Sequence, residues 1–500
     1  MYLKVYCREI MGKIYPASLA DSVHLAYSQD KIQWKAVNRN LGILFAEATI
    51  GEKNQIQEKG VSDVGIFTLA DGGFGIYAYD FWQDKADSRF DKSSILIWQT
   101  KDFIWFSPET RWLLESNVSI KAAIESRYPI KEWADNGIIT VTDQLGEQMI
   151  DYWGAEETEC VSEGQKSGES PWNPDTGGYP MTQGYGDPVI FYWEGTYYFT
   201  ATNDKTKNIG IYVRSASTIE SLFAEECVEH LILAPNQQKG YVRDFWAPEF
   251  HEIKGRIYIL FAVSGTTFSP QSYMMRFKEG GDICCSCDWE EPVRVQKMDG
   301  TYLADGTGKG DERKVLDNEI TLDMTYFEVD QASYLVWSYR KGIMTDEDSG
   351  SMLLIATVDP ECPWKLTSDP KLLSRPLYGW ENNSGTINNE GPYALVREDR
   401  VCLIYSGGAA SGNSYVVGLM SIPQGKNLLE SSNWEKRTAP ILTSFHSPGE
   451  YGPGHGAVFE DAQGTQWLTY HAQPEAEGSI RCVGIKRVLW NKWGEPYIRL

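Results

Sequence analysis

Three acidic residues open strand-like runs at distant points of the chain: Asp187 in GYGDPVIFYWEGTYYF, Asp323 in ITLDMTYFEVD and Glu390 in INNEGPYALV. Each is followed by apolar residues, an odd place for a carboxylate that merely sits in water. Taken singly, each fits a turn or capping acid. Three at matching places in a repeated unit point to chemistry, because carboxyls gathered in one pocket can divide the work of proton donor and proton acceptor.

The elements that must gather them are strands. Short aromatic or β-branched runs separated by turn clusters recur at 196–202, 209–214, 256–263, 333–338, 352–357, 401–406, 415–421 and 466–471, which is the strand signature. Helical periodicity is rare, with 119–127 and 219–226 the better candidates. The fold class is all-β. A repeat starts near 186, 246, 322, 389 and 453: an acid, often beside proline, leads into a strand, then a polar-glycine turn and a second strand. Five copies of a four-stranded unit over about 320 residues predict a five-bladed β-propeller, with an irregular sandwich as the alternative. The first strand of each blade would line a central funnel, so residues far apart in sequence converge there.

Residues 154–179 are rich in Glu, Ser, Gly and Pro and read as an exposed linker. Before it, 1–153 is a strand-rich accessory domain, a sandwich or a few extra blades. Within it Ser28–Trp34 (SQDKIQW) and Thr100–Trp105 (TKDFIW) resemble each other and the Ser-x-Asp turn that ends many propeller blades.

Composition narrows the function classes. The chain has 500 residues with 69 acidic against 46 basic side chains, a formal net charge of -23. Such a surface repels phosphate backbones and anionic lipids, so nucleic acid and membrane partners are not expected. No run of about 18 apolar residues occurs to span a bilayer. The opening MYLKVYCREI carries no export signature. The nine cysteines therefore read as reduced thiols in a cytoplasmic protein, the cluster Cys284, Cys285, Cys287 included. Aromatic residues make up 13% of the chain, and aromatic rings stack on the apolar faces of sugars.

A family resemblance joins these threads. GDPVIFYWEGTYYFTAT, FWAPEFHEIKGRIYILF, LDMTYF, PWKLTSDPKLLSRPLYGWE, INNEGPYAL and YGPGHGAVFED stand in an order that resembles glycoside hydrolase family 43 over 180–500. That family comprises five-bladed propellers acting on arabinose-, xylose- and some galactose-containing glycans. The resemblance implies Asp187 as general base, Glu390 as general acid, and Asp323 as a third acid that tunes Glu390. An inverting glycosidase needs one carboxylate to activate water and one carboxylic acid to protonate the leaving oxygen. Neighbouring negative charge and desolvation would keep Glu390 protonated.

The resemblance also makes Trp246 and Trp380 sugar-stacking candidates. It sets His455 near the propeller axis, where family members often hold a hydrated ion, commonly calcium. Histidine is a poor direct ligand for so hard a cation, so the expectation is a mainly water-coordinated ion, or none; no cofactor is required. Glu249 and Glu381 read as loop anchors. The other histidines (24, 230, 251, 446 and 471) carry no motif. Met324, after Asp323, departs from the small residue of many relatives and is expected to alter the pocket floor. A retaining fructan-type reading would use Arg243-Asp244 and Glu361-Cys362, and a non-catalytic carbohydrate-binding propeller is a second alternative. The expected activity is exo-acting release of α-L-arabinofuranosyl ends from oligosaccharides. β-D-Xylosidase or galactosidase action, including galactofuranosidase, is the runner-up, and homo-oligomerisation is left open.

Overall fold

The computed structural model describes all residues except 83–93, 116–117, 155–170, 305–318, 344, 346, 383–386, 479 and 500. The greater part of the expected linker thus lies outside the described residues. The chain divides into two compact units. One holds Met1–Gly51, Ile56–Gly164 and Leu377–Asn382; the other holds Glu52–Gln55, Gln165–Pro376 and Asn383–Leu500.

Among the described residues the larger unit is built from five antiparallel sheets. Their first strands are β1 (Tyr185–Trp193), β2 (Arg243–Ile253), β3 (Ile320–Val329), β4 (Asn389–Val396) and β5 (Tyr451–Glu460). In the first four sheets the strands run in chain order. Six of the eight strand runs read from the sequence fall within strands of this unit, and 209–214 and 415–421 overlap the strands Ile211–Ala216 and Val416–Pro423. The fifth sheet takes its outer strand from far upstream: Gly177–Gln183 pairs antiparallel with Cys482–Trp490. This corrects the expected linker, whose last residues are strand. A Gly-Gly-Tyr-Pro segment carries no strand pattern of its own, and a partner some 300 positions on supplies the ladder.

The core lies between successive sheets. Ile211 and Val213 of the first pack with Phe250, Ile259 and Phe261 of the second. Leu260 and Met274 of the second meet Tyr326, Leu335 and Trp337 of the third. Leu395 and Ile404 of the fourth meet Leu468 and Tyr470 of the fifth. Phe459 and Trp467 of the fifth meet Ile190 and Phe199 of the first. Each strand alternates its apolar set between two neighbours, so one face of a sheet is covered by the next sheet and the other by the one before. First strands also touch in sequence: β1 with β2, β2 with β3, β3 with β4, β4 with β5, and β5 with β1.

The smaller unit holds two antiparallel sheets of four and five strands and a two-stranded ribbon. Its turns at Ser28 and Thr100 share one hydrogen-bond pattern. The hydroxyl accepts from the amides two and three residues on, and Asp30 or Asp102 Oδ1 accepts the following pair. The likeness seen in the sequence is a likeness of turn geometry. Helix Asp143–Trp153 went unforeseen; Thr142 caps it by accepting the Leu145 N–H. Leu377–Asn382 joins this unit through the Leu377 carbonyl, which accepts the Ala48 N–H at 2.7 Å.

Cys285 and Cys287 form a disulfide within the turn at Ser286–Asp288. This corrects the reading of reduced strand thiols: the turn brings their Cα atoms to 5.4 Å, within bridging range.

Candidate active site

Each of the five first strands breaks register near its start, and a residue with positive φ sits at each break. They include Asp187 (54°), Ala247 (47°), Asp323 (53°), Gly391 (55°) and His455 (48°). A bulge leaves residues unpaired and re-aims side chains. The left-handed region costs a non-glycine residue about 1–2 kcal/mol, so it persists only where surroundings hold it. They do so here. The Asp187 N–H donates to His471 Nδ1 at 3.1 Å, Ala247 N–H to Thr202 Oγ1 at 2.8 Å, Gly391 N–H to Asp323 Oδ2 at 3.1 Å and His455 N–H to Ser406 Oγ at 2.7 Å. Gly391 has a second reason to be glycine: a Cβ there would stand 3.0 Å from the His455 ring.

The bulges gather the acids. Asp187 and Asp323 are 7% and 6% exposed, and His455 Nδ1 lies 3.1 Å from Asp187 Oδ1 and 4.0 Å from Asp323 Oδ2. Asp187 Oδ2 accepts from the Thr202 hydroxyl at 2.5 Å, and Oδ1 accepts from Arg481 Nη1 at 3.2 Å. Glu390 Oε1 accepts from the Tyr415 hydroxyl at 2.9 Å.

Electrostatics separates these carboxyls. Burial pushes Asp187 upward, but His455, Arg481, His471 and the Thr202 hydroxyl outweigh it and hold the group well below the carboxylate range. Both imidazoles are themselves pushed down by burial, His471 to about 3. His471 is moreover tied as a neutral ring, Nδ1 accepting from Asp187 and Nε2 donating to the Ala410 carbonyl. Arg481, whose guanidinium stays charged throughout the working pH range, is a standing positive charge on Asp187 beside His455. Glu390 moves the other way: burial raises it to about 7, Tyr415 opposing and Asp187 assisting. Asp323 is pushed well up by burial, then by Glu390, Asp187 and Glu249. The site thus combines one carboxyl held ionised with a pair that retains a proton near neutrality.

The remaining sequence candidates sort by position. Trp246 precedes the Ala247 bulge, half-buried, with its ring edge-on to Phe268 at 5.9 Å. Trp380 lies in the smaller unit, 1% exposed and stacked on Tyr378, so it presents no face to a sugar. Met324 is also corrected: the bulge at Asp323 sends the next side chain into the core beside Leu335 and Trp337, away from any pocket floor. Glu381 accepts the Tyr378 N–H at 2.8 Å. Glu249 is buried against His251 and acts on Asp323. Glu361, needed for the fructan-type reading, sits exposed at the turn into the fourth strand of the third sheet, apart from the acids.

His455 commits Nδ1 to Asp187 and offers an ion at most Nε2. Among the described residues it joins no set of three Asp, Glu, Cys or His ligand atoms. The residues fit only an ion held mainly through water. Arg481, Tyr415, His471 and Thr202 were not read as functional from the sequence. They lie on second or later strands and rim loops, where no repeat motif marks them.

Comparison with known proteins agrees with this geometry. The family model "Glycosyl hydrolases family 43" matches residues 180–496. "Alpha-L-arabinofuranosidase B" of Pyricularia oryzae is 29% identical over 321 residues, 62% of this chain and 60% of that protein. The chain thus spans under two thirds of that relative's length. "Extracellular exo-alpha-(1->5)-L-arabinofuranosidase" of Streptomyces chartreusis is 30% identical over 60% of this chain and 83% of its own. Among solved structures, an α-L-arabinofuranosidase from Lactobacillus brevis superposes with a TM-score of 0.54 at 26% identity, covering 64% of this chain and 94% of that one. The acids lie on bulges inside the matched segment, which spans more than half of the sequence, and the chain belongs to glycosyl hydrolase family 43.

Proposed function

We propose that the chain is an inverting, exo-acting glycoside hydrolase that releases α-L-arabinofuranosyl residues from the non-reducing ends of oligosaccharides. Its five sheets are read as the blades of a closed five-bladed propeller with the acids in the central funnel. Asp187 removes a proton from the attacking water and Glu390 protonates the departing glycosidic oxygen. Asp323, which accepts the Gly391 N–H next to Glu390, is read as the third acid, and the charge of Glu390 helps to hold its proton in place. The observation that carries the reading is the opposite protonation of two carboxyls in one buried cluster, Asp187 held low and Glu390 raised to about 7. The choice of arabinose rests on the names of the relatives. Trp246, on the bulge next to Thr202, is read as the sugar platform. No cofactor enters either proton transfer. The cytoplasmic location expected from the opening residues gains no support from the relatives, and fractionation of the producing cells decides it.

The test is release of 4-nitrophenol from α-L-arabinofuranoside, β-D-xyloside, β-D-galactoside and β-D-galactofuranoside by the purified chain. Turnover of the arabinofuranoside that disappears in Asp187→Ala is expected. Faster turnover of another member would replace the sugar, and no turnover of these or of natural arabino-oligosaccharides would reject the enzyme reading.

A further inference from the structure

Arg481 is held by more than its contact with Asp187. Its Nη2 donates to Asp204 Oδ1 at 2.6 Å and its Nε to Asp204 Oδ2 at 2.9 Å, a two-pronged fork. The contact with Asp187 is single and longer, 3.2 Å. Bidentate arginine–carboxylate pairs fix the guanidinium plane as well as its charge. Asp204 is thus the anchor, and Asp187 receives what the anchor presents. Gly186 lets this happen, since a Cβ there would stand 1.8 Å from the guanidinium carbon.

The same carboxylate reaches the other side of the site. With the Asn208 side-chain amide assigned the orientation that satisfies both of its ends, its nitrogen donates to Asp204 Oδ1 at 3.0 Å and its oxygen accepts from Trp246 Nε1 at 3.1 Å. Asp204 and Asn208 bracket a short 3-10 turn, Asp204–Thr206, which Asn203 caps by accepting the Lys205 N–H at 3.1 Å. Lys207 and Asn208 both have positive φ, 58° and 60°, and the Asn208 N–H donates to the Asn203 carbonyl at 2.9 Å. The turn is locally tied down, and from it one side chain grips the arginine of the base while the other grips the indole.

We propose that Asp204 and Asn208 are positioning residues for glycoside hydrolysis. Asp204 holds Arg481 against Asp187, and Asn208 sets the angle of Trp246 from the same carboxylate, so that base and sugar platform are aligned by one turn. Neither residue touches the reacting atoms. The inference rests on the hydrolase reading for its kinetics, though not for its geometry.

The assignment separates two kinetic effects. Without its anchor, Arg481 drifts from Asp187, whose proton affinity rises. In Asp204→Ala, kcat should fall about 100-fold, the loss that a displacement of roughly 1 Å causes, and the acid limb of the kcat/KM profile should rise to match that of Arg481→Met. Asp204→Glu should restore part of kcat. In Asn208→Ala the effect should fall on KM with the acid limb unmoved. An acid limb in Asp204→Ala identical to wild type overturns the proposal. Crystal structures of wild type and Asp204→Ala give a readout independent of turnover: loss of the Arg481–Asp187 contact in the variant is expected, and its retention refutes the anchor role. If wild type hydrolyses no glycoside, the hydrolase reading fails on its own and the crystal comparison still decides whether Asp204 anchors Arg481.

Discussion

His471 Nδ1 accepts the backbone N–H of Asp187 across 284 positions of sequence. The ring belongs to the second strand of the fifth sheet and the amide to the first strand of the first. The contact both joins the last sheet to the first and satisfies the amide of a left-handed aspartate. Holding the site together and holding the unit together are here one interaction. A buried amide without a partner costs about 1–3 kcal/mol. His471→Phe should therefore lower the urea midpoint by a corresponding amount and reduce turnover at Asp187 together with it. Unchanged stability would show that the amide finds another partner.

Thr202 makes a similar double contact, donating to Asp187 and accepting from Ala247. Thr202→Val keeps the shape and removes both bonds. A stability loss of about 1–3 kcal/mol is expected from the orphaned Ala247 amide. Asp187 also loses a donor that favours its charged form, so kcat should fall as well. Equilibrium unfolding alongside steady-state kinetics checks both.

In the proposed mechanism Glu390 must carry a proton to give one away. Its carboxyl is raised to about 7, so activity falls as pH rises through that value. Asp187 must be ionised and is held well below the carboxylate range, so no matching fall is expected on the acid side until below about pH 4. A kcat/KM profile between pH 4 and 9 should show one limb, on the basic side. A second limb near pH 6 would contradict the assignment.

Tyr415 donates to Glu390 Oε1 and so favours the ionised acid. Tyr415→Phe removes that bond, and Glu390 should hold its proton to higher pH. The basic limb should move upward. A limb that stays in place would show that Tyr415 does not govern the acid.

Leaving groups report on Glu390 directly. Glu390→Ala should lose about 10²–10⁴-fold on natural oligosaccharides, whose departing oxygen needs the proton, and much less on 4-nitrophenyl substrates. Proton NMR of the first product formed should show the inverted anomer. Retention of configuration would reassign Asp187 as a nucleophile.

The sequence by itself determined the strands and the places of the acids. The aromatic and β-branched runs at 256–263 and 401–406 lie where strands form, because alternation between two buried faces is written locally. Asp187, Asp323 and Glu390 stood out because a carboxyl among apolar residues conflicts with that local pattern. Tertiary structure decided the rest. Gly177–Gln183 became a strand only by pairing with Cys482–Trp490. Trp380, in the GWE run, and Met324, next to Asp323, turned into cores that the motif does not describe. The protonation states came last. Arg481 reaches Asp187 from 294 positions away, and burial that pushes one acid up while an arginine holds another down is a property of assembled surroundings. Local spacing encodes which face a residue takes; it does not encode which distant charge will face it.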